Sequence, residues 1–526
     1  MIKYMQKILH LLVIILLLLI AGCESDINIA DIQQDTFYYG TVGNREMIIK
    51  VNHLNGKLFD GDYYDISQNS TVNPIEFHGK IKRNKCVVSF LDKKMSIQHI
   101  QWKFSDNRFT GSCKIDGEEY DFQFTAYTAP EFKKYKNRYK EPIYEYNVIK
   151  NVKYGTATGY WTSNPTTSTD YFEIIKNGLS SSIETSTLAL TMDIYLPKND
   201  YLSRRPLLML IHGGGFYIGD KADAPIVRWC NHFASLGYVV ASINYRMGFK
   251  PAKQSIERCG YRATQDAHAA MRFLLANQDK FKIDPNYLFA AGSSAGGITT
   301  LNLAFMRNKN RPESSHGNWV LEDLGDIESS GNTLKQTFHL RAIANMWGAV
   351  HDINEIANSN TSIISFHGDA DQVVPYDYDV PFKDIQLGFS KLFFNKMYGS
   401  AAIHRKAKEL GYRQTLHTFP GAGHAPHVDK NDNPTEKFWF IQKEMTDFFY
   451  REFLPRDVVI SSKQAQVYTI DISNPVRTYW KAEGGLILSS NSTSARVVWL
   501  KSDTPHKLSV AGYLENGAAF FTEQNF

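Results

Sequence analysis

The sequence predicts a mostly parallel, doubly wound α/β sheet placed between two segments of β structure. Three observations predict it. From about residue 148 to 455, short apolar runs alternate with stretches of helical period. On either side, 24–130 and 458–526 alternate apolar and polar residues, with Asn-Gly, Asp-Gly and Gly-Gly as punctuation. The one stretch apolar enough to concern a membrane lies at the extreme N-terminus. Composition agrees: 526 residues, 43% hydrophobic, 21% charged and 13% aromatic, exclude a disordered, collagenous or coiled-coil chain. A net charge of +4 is too small for a nucleic-acid partner to be expected.

The N-terminus comes first. Lys3 and Lys7 precede an unbroken apolar run, Leu11 to Ile20, and then Ala21-Gly22-Cys23. A positive start, a short apolar core and small residues before a break describe a secretory signal over 1–22. The run is too short to cross a bilayer comfortably. Cys23 directly after Ile20-Ala21-Gly22 resembles the lipobox of bacterial lipoproteins. That resemblance implies cleavage before Cys23 and a diacylglycerol on its thiol. The protein would then be tethered to a membrane of the bacterial cell envelope, periplasmic or surface-exposed. Two or three acyl chains anchor a soluble domain stably. The alternative is an ordinary cleavable signal whose mature chain starts with Cys. With Cys23 lipidated, Cys86, Cys113, Cys230 and Cys259 remain. An exported compartment permits disulfides, and the local pairs 86–113 and 230–259 are expected, with free buried thiols as the alternative.

Residues 23–130 read as a small antiparallel β domain. Met47–Val51 precedes Asn55-Gly56, and Ser112–Ile115 precedes Asp116-Gly117. These dipeptides supply the positive φ that tight hairpin turns need. Tyr120, Phe122, Phe124 and Ala126 then alternate with polar partners. The stretch 131–147, rich in Lys, Tyr and Glu, is read as a linker or as an edge that packs on the next domain.

In 148–455, strands are expected at Leu207–Ile211, Tyr238–Ile243, Tyr287–Ala291, Ala342–Met346, Ile363–Phe366 and Gln414–Phe419. Helices are expected at Ile226–Ala234, around Ala267–Leu275, and at Ala295–Phe305, Lys396–Leu410 and Glu436–Phe453. Sites in such sheets form at the carboxyl ends of strands. Residues 456–526 return to β pattern over Val467–Ile472, Thr478–Lys481, Leu486–Ser489, Arg496–Leu500 and Leu508–Val510. Trp480, Gly484-Gly485 and Trp499 make this stretch similar to the PKD-like or Ig-like β-sandwich modules of exported bacterial hydrolases.

Four motifs follow the strands. Gly292-Ser293-Ser294-Ala295-Gly296 opens a helix after a strand, the setting of a nucleophile elbow. His212-Gly213-Gly214-Gly215-Phe216 follows another strand, and its glycines leave backbone N–H groups free for an oxyanion. A phosphate cradle would want the Lys and Ser/Thr of a Walker motif, which the loop lacks. His367-Gly368-Asp369-Ala370-Asp371-Gln372-Val373-Val374-Pro375 and Gly421-Ala422-Gly423-His424 complete the set. A serine hydroxyl is a poor nucleophile at neutral pH, so a histidine must take its proton, and a carboxylate must orient that histidine.

With these motifs in the order Ser294, Asp371, His424, residues 148–455 resemble the α/β-hydrolase superfamily, specifically bacterial carboxylesterases with an H-G-G-G loop. Gln265-Asp266-Ala267-His268-Ala269-Ala270 matches the helix before the elbow, and Gly213–Tyr217 also looks like the oxyanion loop of cholinesterases. Those enzymes usually carry Glu as the triad acid. The H-G-x-x-D-x-x-V-P frame here is nearer the lipase, dienelactone-hydrolase and prolyl-oligopeptidase pattern. The resemblance implies Ser294 as nucleophile, His424 as base and Asp371 as its orienting acid. It also implies Gly214, Gly215 and Ala295 as oxyanion donors, with no cofactor or metal. Rivals stay open: Asp369 for Asp371, His427 for His424, and a metal on the His424/His427 pair. Arg262 and Asp266 are expected to pair on their helix, His212 to brace its loop, and His351-Asp352 to form a loop or line the acyl pocket. The polar stretch 308–335 is long enough for a cap.

The function read from this is hydrolysis of carboxylic esters, small or glycan-linked, with polysaccharide side groups as one class of substrate. A serine peptidase of prolyl-oligopeptidase type is the enzyme alternative. A surface glycan- or protein-binding lipoprotein with a vestigial hydrolase domain is the non-enzyme one.

Overall fold

The computed structural model describes residues 35–526 with interruptions, the longest at 164–184 and 384–393. Cys23 and the signal segment lie outside the described residues, as do the side chains of Cys86 and Cys113. Among the described residues no helix is long and apolar enough to cross a membrane.

Two compact units are present. One spans 136–455 and 516–518. Its sheet has eight strands: β1 (Tyr146–Gly159), β2 (Ser186–Pro197), β3 (Arg205–Ile211), β4 (Val239–Ile243), β5 (Ile283–Ser293), β6 (Ala342–Met346), β7 (Ser362–Gly368) and β8 (Gln414–Phe419). Their order is β1-β2-β4-β3-β5-β6-β7-β8. β1, β2 and β4 run antiparallel in turn, and every later pair is parallel. β3 shows why both faces are covered. Leu207, Met209 and Ile211 point into one core and Leu208 and Leu210 into the other, as the two-residue period of a strand requires. The first core takes helices α2 (Lys253–Ala276), α3 (Ala295–Phe305) and α4 (Ser400–Glu409); the second takes α1 (Ala224–Ser235) and α5 (Glu436–Tyr450).

That layering breaks the expected 230–259 disulfide. Cys230 of α1 and Cys259 of α2 are both free and buried, and they belong to the cores on opposite faces of the sheet. Of the stretch 131–147, residues from 136 onward open this unit and pack on it, as the edge reading has it rather than the linker one. Arg138 is buried against Asp200, with Nη1 2.8 Å from Oδ1, and Arg205 Nε donates to Oδ2 of the same carboxylate at 2.6 Å. The helix expected over Lys396–Leu410 begins only at Ser400, because Met397–Gly399 forms a short strand first.

The second unit comprises residues up to 135 with 456–515 and 519–526. A separate N-terminal β domain over 23–130 and a separate C-terminal module over 456–526 are therefore replaced by one body. Strands from Phe37–Val42 to Glu118–Ala126 build a nine-stranded sheet with antiparallel pairings. The C-terminal strands form two further antiparallel groups, one around Ser494–Leu500 and one around Lys507–Tyr513. Three contacts join the segments. Thr71–Val72 pairs in parallel with Trp499–Leu500, Arg496 forks onto Glu46, and Ile48, Tyr64 and Ile66 pack with Leu486 and Val498. Pairings across some 400 residues leave no local pattern, so the sequence suggests two modules.

The Arg138–Asp200–Arg205 cluster can be tested. Asp200→Ala leaves two buried guanidinium groups without a carboxylate, which costs about 3–5 kcal/mol. The expected result is a lower denaturation midpoint in urea with an unchanged slope.

Candidate active site

Five strand ends converge on one rim of the sheet. β3 leads to the glycine loop, β5 to Ser294, β6 to Trp347, β7 to Asp371 and β8 to His424. Ser294 has φ 56° and ψ −120°, in a region non-glycine residues seldom occupy, at the N-cap of α3. The turn is tight enough to demand both flanking glycines. A Cβ on Gly292 would stand 2.3 Å from the Gly296 carbonyl oxygen, and one on Gly296 would stand 2.1 Å from that of Ile211. The Ser294 N–H donates to the Met346 carbonyl at 2.9 Å, pinning the elbow to the next strand.

The structure brings Ser294, His424 and Asp371 together. His424 Nε2 lies 2.9 Å from Ser294 Oγ, and its Nδ1 lies 2.7 Å from Asp371 Oδ2. Asp371 Oδ1 accepts from the N–H groups of Val373 and Val374 at 2.8 and 3.0 Å. Asp369 points elsewhere and accepts from the Gly421 N–H at 2.6 Å. His427 faces the core, stacked on Trp229 and packed on Trp347, and burial pushes its pKa down to about 4. With Asp371 on its Nδ1, His424 presents Nε2 to the serine hydroxyl, the arrangement of a base about to take that proton.

Sequence reasoning assigned no role to His367, yet it is the second imidazole on Asp371. Its Nε2 lies 3.2 Å from Asp371 Oδ2 and 3.2 Å from the Val374 carbonyl, and its Nδ1 lies 2.8 Å from Ser400 Oγ. Two acceptors at Nε2 assign the proton there, so Ser400 donates to Nδ1. Ser400 in turn accepts from Asn345 Nδ2 at 3.0 Å. Burial alone would raise the Asp371 pKa; hydrogen bonds from His367 and His424 outweigh it and hold the carboxyl well below the usual range. The signal lay in the His-Gly-Asp-Ala-Asp frame, where His367 stands four residues before Asp371.

The glycine loop lies against the elbow: a Cβ on Gly213 would stand 3.3 Å from Ser294 Cβ. Gly214 has φ 102° and Gly215 φ 61°, and a Cβ on Gly214 would meet the Ile218 carbonyl oxygen at 1.9 Å. Ala295 is the first residue of α3, so its N–H has no intrahelical acceptor and shares the positive end of the helix. His212 braces the loop as expected, with Nδ1 2.8 Å from the Gly213 carbonyl and its ring stacked on Tyr245. Asp266 does not pair with Arg262. It takes the backbone N–H and Nε of Arg246, at 2.7 and 3.0 Å, while Arg262 reaches the Gly248 carbonyl.

A cleft of about 1140 Å³, open mouth included, rises from Ser294 and Ala295. Phe216, Phe249, Ile256 and Ile298 line it together with Lys253, Glu257, His351 and Lys396. The stretch 308–335, expected as a cap, is tied to α2. Arg258 donates to the Ser314 and Glu322 carbonyls, Tyr261 to Gly325 and Gln265 to Leu324, all at 2.8 Å.

Comparison with known proteins adds a family match. Residues 192–361, about a third of the chain, match the BD-FAE family. The match includes the glycine loop and the serine elbow and ends before Asp371 and His424. Gut esterase 1 of Caenorhabditis elegans is 33% identical over 116 residues, covering 22% of this chain and 20% of that protein. Arylacetamide deacetylase of Mus musculus is 32% identical over 120 residues, covering 22% and 28%. The chain thus spans less than a third of the length of these curated relatives. Among solved structures, Thermogutta terrifontis esterase 2 phosphorylated by paraoxon is similar at 19% identity and a TM-score of 0.35, covering 50% of this chain and 89% of that one. The family match and the esterase relatives support an α/β-hydrolase of the esterase type.

The His367 contact yields a prediction. Because the folded pKa of Asp371 lies below its unfolded value, its contribution to stability is fully present above about pH 4. It fades as pH falls through the folded value. His367→Phe should therefore cost about 1.5–3 kcal/mol at pH 7, the scale of a hydrogen bond to a charged group. Thermal unfolding of both proteins should show that deficit shrinking as the buffer is taken well below pH 4.

Proposed function

We propose that the protein hydrolyses carboxylic esters through an acyl-enzyme on Ser294. The observation that carries this reading is the single imidazole within hydrogen-bond reach of both Ser294 Oγ, at 2.9 Å, and Asp371, at 2.7 Å. In the proposed cycle His424 takes the Ser294 proton as Oγ adds to the ester carbonyl. The new oxyanion is held by the N–H groups of Gly214, Gly215 and Ala295, donors worth about 10² to 10³ each in turnover. The tetrahedral adduct collapses, the C–O bond to the alcohol breaks, and His424 returns its proton to the leaving oxygen. Water then attacks the acyl-enzyme with His424 as base, releasing the acid and restoring Ser294. Asp371 stays ionised throughout and stabilises the imidazolium.

The substrate proposed is an acyl ester of a hydroxylated alcohol, of which polysaccharide side groups are one source. The mixed wall of the cleft supports this, since Phe249 and Ile256 offer apolar surface while Lys253, Glu257 and Lys396 offer hydrogen bonds to hydroxyl groups. Attachment to the cell envelope through a lipid on Cys23 is likewise proposed, on the signal-like N-terminus and the residues before that cysteine.

The test compares p-nitrophenyl acetate, acetylated oligosaccharides and dipeptidyl p-nitroanilides. The wild type is expected to turn over the esters far faster than the amides. Ser294→Ala should lower kcat/KM on the order of 10⁴-fold or more, and Asp371→Asn on the order of 10⁴-fold. Faster turnover of the amides would favour a peptidase instead.

A further inference from the structure

A second cavity, of about 740 Å³ with its open mouth included, lies beside the last turn of α3, where Leu303 and Ala304 reach its wall. It shares no lining residue with the cleft above Ser294. Its polar wall is made by His268 and Arg272 of α2 with Arg307, Glu328, Lys335 and His339. Two of these groups are buried with hydrogen-bonding capacity unused. Arg272, 1% exposed, donates through Nη2 to the Ser330 carbonyl at 2.9 Å and through Nε to Asn332 Oδ1 at 3.3 Å, but Nη1 has no partner. His268, 4% exposed, has no partner on either ring nitrogen. Glu328 Oε1 is 3.8 Å from His268 Nδ1, too far for a hydrogen bond. Arg307 spends Nη1 on the Met306 carbonyl at 2.7 Å. Among the described residues, neither Arg272, which is buried, nor Arg307, which is half-buried, has a carboxylate in ion-pair reach.

Guanidinium groups remain charged when buried, and an unmade hydrogen bond there is costly. Burial, with Arg272 and Arg307 adding to it, lowers the His268 pKa to about 3, so the ring is neutral at pH 7 and offers one N–H. The wall thus presents donors and positive charge, opposed by one exposed carboxylate, Glu328. We propose that this cavity binds a small oxyanion whose oxygens accept from Arg272 Nη1, from the Arg307 guanidinium and from the His268 N–H. Arg272 Nη1 and the Arg307 guanidinium, on the wall of one cavity, can each take one of the paired oxygens of a carboxylate or a phosphate. The proposal is independent of ester hydrolysis, since it concerns the opposite end of α3 from Ser294.

Isothermal titration calorimetry on the full chain at pH 7 tests it, with sodium phosphate and sodium acetate as separate arms against sodium chloride at matched ionic strength. At least one oxyanion is expected to titrate saturably at one site where chloride does not. Phosphate alone would mark a tetrahedral dianion as the natural ligand type, acetate alone a carboxylate. Arg307→Gln should weaken binding tenfold or more, and Arg307→Lys, which keeps the charge without the fork, should fall between. Thermal unfolding without added anion checks that both variants are folded. If neither oxyanion binds beyond chloride, or if folded Arg307→Gln binds as the wild type does, the proposal is overturned.

Discussion

Ser294 is held at positive φ by crowding on every side, and the rest of the site follows from that constraint. A residue in this conformation costs on the order of 1–3 kcal/mol and persists only where its surroundings over-determine it. Here the surroundings are backbone. Gly292 and Gly296 let strand and helix approach within the radius of a methyl group, Gly213 does the same for the neighbouring loop, and the Met346 carbonyl holds the serine N–H. The parallel sheet supplies this because β3, β5 and β6 lie side by side and end at the same level. The serine is thereby presented at the sheet rim with the first amides of α3 beside it.

A second constraint is electrostatic. Asp371 is a buried carboxylate that receives two imidazoles and two backbone amides. Behind it runs a chain from Asn345 through Ser400 to His367, buried along its length. Each member donates to the next, so the carboxylate bonded to His424 is itself held from the far side. At the other end of α3 the balance differs, with Arg272 and His268 buried and under-used. One helix thus joins a rim where the Asp371 carboxylate is fully engaged to a cavity where Arg272 and His268 are not.

Legibility in the sequence tracks how local the cause is. The elbow and the glycine loop are legible because backbone crowding dictates glycine at fixed spacings. Parallel strands buried on both faces are legible as unbroken apolar runs, such as Leu207–Ile211. Between Asp369 and Asp371 the residue types do not choose. The choice depends on the turn after β7, which gives Asp371 the amides of Val373 and Val374 and sends Asp369 to Gly421. His367 and Ser400 meet where β7 faces the first residue of α4, 33 positions apart in sequence, so only their own neighbourhoods are legible. The partner of Asp266 is not legible for the same reason: Arg262 is near in sequence, whereas Arg246 arrives from the end of β4. The union of the two β segments and the separation of Cys230 from Cys259 are topological facts with no local trace.

The central claim is that Ser294 is a nucleophile activated by His424. Its most direct test is covalent capture. The full chain is treated at pH 7.5 with a fluorophosphonate, and its mass is read intact and after proteolysis. The account predicts one adduct per chain, on the peptide holding Ser294, formed far more slowly by His424→Ala. A folded wild type that takes up no label, or takes it on another residue, would contradict it.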